Sequence, residues 1–130
     1  GSAMTQNDIL EKLERIVAED KRYRLEGYIF IMHALDMAIS KRQVRGHVSG
    51  EELLEGVRDY GRHLFGPTAK MVFEHWGVLG TEDFGNIVFN LVRAGILSTS
   101  DTDSPEDFAG VYDFAEVFER QYDWKIENPL

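Results

Sequence analysis

Apolar residues recur along this chain at helical rather than strand spacing. Ile9, Leu13, Ile16 and Val17 form one stripe, with Leu10 beside it, and predict a helix over Asn7 to Glu19. Thr5, followed three residues later by Asp8, supplies a weak capping box at its start. From Tyr23 to Lys41, Leu25, Ile29, Met32, Leu35 and Ile39 make a second stripe, and Tyr28 and Ile31 add a further apolar side. A helix apolar on two sides belongs in the centre of a fold. Gly27 costs about 1 kcal/mol of helix propensity there. The run Tyr28-Ile29-Phe30-Ile31 alone would also suit a strand, but the pattern continues through Ala34 and Ala38 and favours a helix.

Ser49 and Glu52 make a clear capping box ahead of Leu53, Leu54, Val57, Tyr60, Leu64 and Phe65. Gly66-Pro67 ends this third helix and opens a fourth, from Pro67 to about Trp76, because glycine suits a C-terminal cap and proline a first turn. Thr81 is the expected cap of a fifth, with Glu82 and Asp83 in the turn where the helix dipole favours anions, and Gly95 ends it. Ile96 to Thr99 and Gly110 to Asp113 read as two short strands around the polar loop Asp101 to Asp107, where Ser104 is expected to cap a one-turn helix at Pro105. Asp113 and Glu116 open a final helix carrying Phe114, Val117, Phe118 and Tyr122.

Three helices and a hairpin over His47 to Phe114 give the element order of a winged helix-turn-helix. The helix in the reading position argues against DNA. Thr81 to Ala94 holds one basic residue, Arg93, against Glu82 and Asp83, and its middle is Ile87-Val88-Phe89-Asn90-Leu91-Val92. A reading helix presents basic or amide side chains to phosphates and base edges; this one is patterned for burial. The expected fold is therefore mainly α, with five to six helices, a small β-hairpin and a winged-helix-like second half. Residues 1–4 read as an expression scar and start, 5–122 as a single helical domain and 123–130 as a loose C-terminal tail.

The segment His47-Val48-Ser49-Gly50-Glu51-Glu52-Leu53-Leu54-Glu55-Gly56, with Phe65-Gly66-Pro67, His75-Trp76-Gly77, Thr81-Glu82-Asp83-Phe84-Gly85 and Tyr112-Asp113-Phe114, resembles a family of short bacterial proteins of uncharacterised activity. The likeness covers about Tyr23 to Phe118. It implies a bacterial source and carries no catalytic or ligand-binding residue with it.

Charge sharpens the picture. The net charge is −9, and residues 1–65 carry 10 basic against 11 acidic side chains while residues 66–130 carry 4 against 12. An acidic second half repels phosphate backbones and suits solubility or a basic partner. With no cysteine, disulfides, thiolate metal sites and cysteine nucleophiles are excluded, which is compatible with a reducing cytoplasm. The longest apolar run, Tyr28 to Met32, is far too short to span a bilayer.

Candidate chemistry is sparse. Asp101, Asp103 and Asp107 occupy positions 1, 3 and 7 of a calcium-loop frame. Pro105, Glu106 and Tyr112 break it at positions 5, 6 and 12, so a solvated turn is the better reading. His63 follows Asp59 by four residues and His33 precedes Asp36 by three, spacings that place each pair on one helical face. Neither pair has a third ligand or a nucleophile in the pattern. His75-Trp76-Gly77 suits a helix end, with Trp76 covering the core; the functional alternative is a pocket between Trp76, Phe73, Phe84 and Tyr112. The basic concentration Lys41-Arg42-Gln43-Val44-Arg45, with His47 after it and Arg58 and Arg62 as possible neighbours, is the expected partner-binding stretch: Lys41, Arg42, Arg45 and His47. Phosphate-loop, dinucleotide and nucleophile-elbow motifs do not occur. The reading is a non-catalytic protein-interaction or regulatory module of the bacterial cytoplasm, with no cofactor, no metal and no membrane span, and a protein as partner. The alternatives are a nucleic-acid-binding winged helix and a small histidine- or metal-dependent enzyme.

Overall fold

The computed structural model describes residues 5–40, 48–98 and 105–120, and these are mainly helical. Helix α1 spans Gln6–Glu19, α2 Leu25–Ser40, α3 Gly50–Phe65, α4 Ala69–His75 and α5 Thr81–Arg93. A 3-10 turn, Gly66–Thr68, joins α3 to α4; another covers Pro105–Phe108, and a π-helical turn covers Ala115–Arg120.

The helix starts follow local chemistry. Thr5 Oγ1 accepts from Asp8 N at 3.1 Å, and Asp8 Oδ2 accepts in return from Thr5 N at 3.3 Å. Ser49 and Glu52 make the same reciprocal pair at 3.0 and 2.9 Å. Each pair satisfies backbone donors that a first turn leaves without helical partners. At α5 the capping residue differs from expectation. Gly80 is the cap, and Asp83 Oδ2 accepts from Leu79 N at 2.9 Å and Gly80 N at 3.3 Å. Thr81 is instead the first helical residue, fully buried, and its hydroxyl accepts from Val111 N at 3.1 Å.

Helix α2 is the central element, packed against α1, α3 and α5. Its buried residues are Gly27, Tyr28, Phe30, Ile31, Ala34, Leu35 and Ala38, while Ile29 is exposed. The expected Tyr28, Ile31 and Leu35 are thus inside, Leu25, Met32 and Ile39 are partly buried against the core, and Gly27, Ala34 and Ala38 complete the inner face. Small side chains let backbones approach: a Cβ at Gly56 of α3 would stand 3.3 Å from Ala34 O, and one at Gly27 would stand 3.4 Å from Ile87 Cδ1 of α5. Beside this seam lies an aromatic cluster. Phe73 of α4 packs 5.2–5.6 Å, centroid to centroid, from Phe30, Trp76, Phe84, Phe114 and Phe118. Edge-on and tilted aromatic packing of this kind contributes about 0.5–1.5 kcal/mol per pair beyond area burial.

Helix α5 is core. Phe84, Ile87, Val88 and Leu91 are buried, and Phe89 on its outer side is about half exposed. It ends in a Schellman motif: Gly95 takes φ +79°, its N–H donates to Val92 O at 3.0 Å, and Ile96 N donates to Leu91 O at 3.0 Å. Leu97 N donates to the same carbonyl at 3.2 Å. These bonds account for the missing hairpin. Ile96 and Leu97 fold back onto the helix end, and Val111 N is held by Thr81, so the expected strands Ile96–Thr99 and Gly110–Asp113 do not form a ladder among the described residues. Thr99 itself lies outside them. The winged-helix reading loses its wing with the hairpin. In its place Phe108, fully buried, pins the Pro105–Phe108 turn where that turn packs on α5. Asp113 Oδ1 accepts from Glu116 N at 3.0 Å, as the sequence pattern predicts for the final helical segment.

Candidate functional site

The site expected from the sequence, Lys41, Arg42, Arg45 and His47, lies outside the described residues, as do Asp101 and Asp103 of the acidic loop. The two arginines considered as its neighbours are engaged internally. Arg58 pairs with Asp59 Oδ1 at 3.3 Å and Glu55 Oε1 at 3.7 Å. Arg62 Nη2 donates to Val117 O at 2.6 Å and ties the π-helical turn to α3. His33, His63 and His75 are all exposed, on α2, α3 and α4. Among the described residues no three His, Asp or Glu side chains are placed to hold a metal. Trp76 is buried and packs against Phe30, Phe65 and Phe73. Phe73 stands 5.2 Å from Phe84, so aromatic rings occupy the space between them. Tyr112 turns toward Phe114 and Phe118 and donates its hydroxyl to Leu54 O at 2.6 Å.

What the fold does assemble is a polar seam between the α1–α2 connection and α5. Asn90, buried, donates through Nδ2 to Asp20 Oδ2 at 2.9 Å and to Tyr28 Oη at 3.0 Å. Asp20 also receives Arg22 in a two-pronged bond, Nε to Oδ1 at 2.9 Å and Nη2 to Oδ2 at 2.7 Å. The Arg22 guanidinium holds the Asp20 carboxyl well below the usual carboxylate range; burial opposes it, and the Asn90 amide adds a lesser lowering. One turn earlier on α5, Tyr23 Oη donates to Asp83 Oδ1 at 2.5 Å and accepts from Asn86 Nδ2 at 3.0 Å. Burial raises the phenols of Tyr23 and Tyr28 above their ordinary values, and for Tyr23 the Asp83 carboxylate raises it further. Both phenols therefore stay protonated near neutrality. The seam clamps the α1–α2 connection and α2 to α5.

A cleft of about 140 Å³ opens beside this seam, between α1 and the end of α5. Lys12, Arg15, Ile16 and Glu19 line one wall; Asn90, Arg93 and Ala94 line the other. Arg93 Nη2 stands 3.8 Å from Glu19 Oε2, and both side chains are about 60% exposed. Among the described residues, Lys12 and Arg15 have no ion-pair or hydrogen-bond partner. Two features bring the three cations together. Lys12 and Arg15 share a helical face at a spacing of three, next to buried Ile16. The Asn90–Asp20 bond then holds the C-terminal half of α5 against that end of α1. A wider depression of about 430 Å³ is lined by Ser49, Glu51, Asp107, Ala109, Gly110 and Val111. It is acidic, and its Ser49 hydroxyl already caps α3.

The chemistry of the cleft is therefore cationic on a chain of net charge −9. Its basic groups are one ammonium and two guanidinium forks, hydrogen-bond donors suited to carboxylate or phosphate oxygens. Sequence reasoning missed it because Arg93 lies 81 residues after Lys12; the one local sign was the pair of cations three apart on the polar side of α1. Among the described residues no helix is long and apolar enough to cross a membrane. Comparisons of the chain with protein-family models, with curated proteins and with solved structures each find no match.

Proposed function

We propose that this protein is a non-catalytic protein-interaction or regulatory module that engages an anionic partner protein through the α1–α5 face. The observation that carries the reading is the convergence of Lys12, Arg15 and Arg93 on one cleft of an otherwise acidic chain. Concentrated opposite charge steers encounter and fixes orientation. The basic stretch Lys41, Arg42 and Arg45, with His47, is proposed as a second contact of the same sign. The cytoplasm is the proposed location, on the absence of cysteine from the sequence.

The test is capture from a native lysate at low salt with wild type and with an Arg15→Glu/Arg93→Glu variant, the fold of each checked by circular dichroism. A partner held by wild type and lost from the folded variant supports the reading. A partner held equally by both removes this face from the function. Sub-micromolar binding to duplex DNA at about 50 mM salt, the permissive condition for phosphate contacts, would replace the reading with nucleic-acid recognition.

A further inference from the structure

We infer that the cleft between α1 and α5 receives a single carboxylate side chain from the partner, and that Glu19 occupies the place of that carboxylate in the free protein. This rests on the interaction reading above and specifies its chemistry. Size is the first argument. A cleft of about 140 Å³ is well below the roughly 300–1,000 Å³ typical of small-molecule and cofactor sites. The occupant is therefore a small anionic group rather than a cofactor-sized ligand, and the interaction reading places that group on the partner. The lining is the second argument. Lys12, Arg15 and Arg93 offer ammonium and guanidinium donors, and Asn90 at the base is already bonded to Asp20 and Tyr28. Lys12 and Arg15 are left to meet an incoming oxyanion, and Arg93, which stands 3.8 Å from Glu19 and over the Phe89 ring, joins them once Glu19 gives way.

Glu19 is the third argument. Its carboxylate is the one acid on the cleft wall, and it approaches Arg93 only to 3.8 Å. A charge-assisted guanidinium–carboxylate bond settles near 2.7–2.9 Å, so the internal pair is loose and exposed. A carboxylate from outside that reaches Arg93 in bonded geometry, with Lys12 and Arg15 beside it, displaces Glu19 at small cost. Glu19 then acts as a built-in competitor that lowers affinity for weakly acidic surfaces and keeps Arg93 oriented across the cleft. The net acidity of the chain serves the same selectivity, because a partner must place its carboxylate at the cleft and keep the rest of its negative charge away from the surrounding surface.

The experiment titrates the full chain with a fluorescently labelled hexaglutamate peptide and its hexaglutamine counterpart, by anisotropy at about 20 and 200 mM salt. Expected results are binding of the glutamate peptide alone, weakening at the higher salt. Lys12→Ala and Arg93→Ala should each weaken it at least about 3-fold, and Glu19→Gln should tighten it about 2- to 5-fold, the scale of an exposed ion pair. Lys70→Gln, which alters a cation paired with Glu74 on α4, serves as the control and should leave binding within about 1.5-fold of wild type. Glutamate-peptide binding that ignores both alanine substitutions overturns the cleft as the carboxylate site. Weaker binding in Glu19→Gln overturns the competitor role. If neither peptide binds, yet the lysate partner is still lost from the Arg15→Glu/Arg93→Glu variant, the carboxylate assignment is wrong while the interaction reading stands. Displacement of a bound partner by millimolar inorganic phosphate but not by hexaglutamate would likewise overturn it in favour of a phosphorylated ligand.

Discussion

Gly77 sits where two chain segments cross, and replacing it with alanine tests that crossing directly. The residue adopts φ +90°, a left-handed conformation, and a Cβ there would fall inside the contact radius of the Arg22 carbonyl oxygen. Around it, Arg24 N donates to Trp76 O at 3.1 Å and Arg24 Nε donates to His75 O at 3.1 Å, so the α1–α2 connection lies flat on the end of α4. The left-handed backbone costs a non-glycine residue about 1–2 kcal/mol. Relieving the overlap requires the segments to separate, which loses at least the Arg24–Trp76 bond at about 0.5–1.5 kcal/mol and loosens the packing of Trp76. Gly77→Ala should therefore destabilise by about 2–4 kcal/mol. Gly95→Ala is the internal control. It shares a positive φ of +79°, yet its Cβ would meet nothing closer than Lys12 Nζ at 3.6 Å, an ordinary contact, so only the backbone cost of about 1–2 kcal/mol applies. Equilibrium urea unfolding of both variants reads the difference as a shift in midpoint at constant slope. Equal losses in the two would refute the close approach of Arg22 to Gly77.

Three further outcomes are expected. Ile87→Ala should cost about 2–5 kcal/mol in the same assay, as a fully buried aliphatic truncation; unchanged stability would mean α5 is not core. Asp20→Asn should be less stable than wild type at neutral pH. Because the folded carboxyl titrates below its unfolded value of about 3.9, its contribution is whole above that pH and is lost as pH falls through the lower folded value. The gap between the two proteins should start to narrow near about pH 4 and close only below the lower folded value, and a gap that stays constant from neutral pH into strong acid would show that the Asn90 contact rather than the charge is responsible. Reversing charge at Arg42 and Arg45 should weaken a native complex more at low salt than at high salt, and equal binding at low salt would leave that stretch as a solvated loop.

Much of the fold was legible locally. The capping pairs Thr5/Asp8 and Ser49/Glu52 mark helix starts because a hydroxyl and a carboxylate three residues apart can satisfy each other's backbone donors without tertiary help. Gly95 marks a helix end because only glycine takes a positive φ freely. The density of apolar residues in α5 foretold its burial for a similar reason: five apolar residues in the six positions from Ile87 to Val92 leave too little polar surface for a reading helix.

Tertiary structure decided the rest. The run Ile96-Leu97-Ser98-Thr99 has strand chemistry, yet the carbonyl of Leu91 captures Ile96 and Leu97 before a ladder can form. Period and propensity do not report that competition. On α2, Ile29 of the expected stripe faces out while Gly27, Ala34 and Ala38 join Tyr28, Phe30, Ile31 and Leu35 inside, because how closely α3 and α5 approach decides which residues are covered, and hydrophobicity alone ranks Ile29 above glycine and alanine. Asp20, Tyr28 and Asn90 appear in the sequence as three unremarkable polar residues; a bond across 70 positions makes them a clamp. That clamp in turn sets Arg93 beside Lys12 and Arg15. Charge that is scattered along the chain becomes a site only once helix packing has brought it to one cleft.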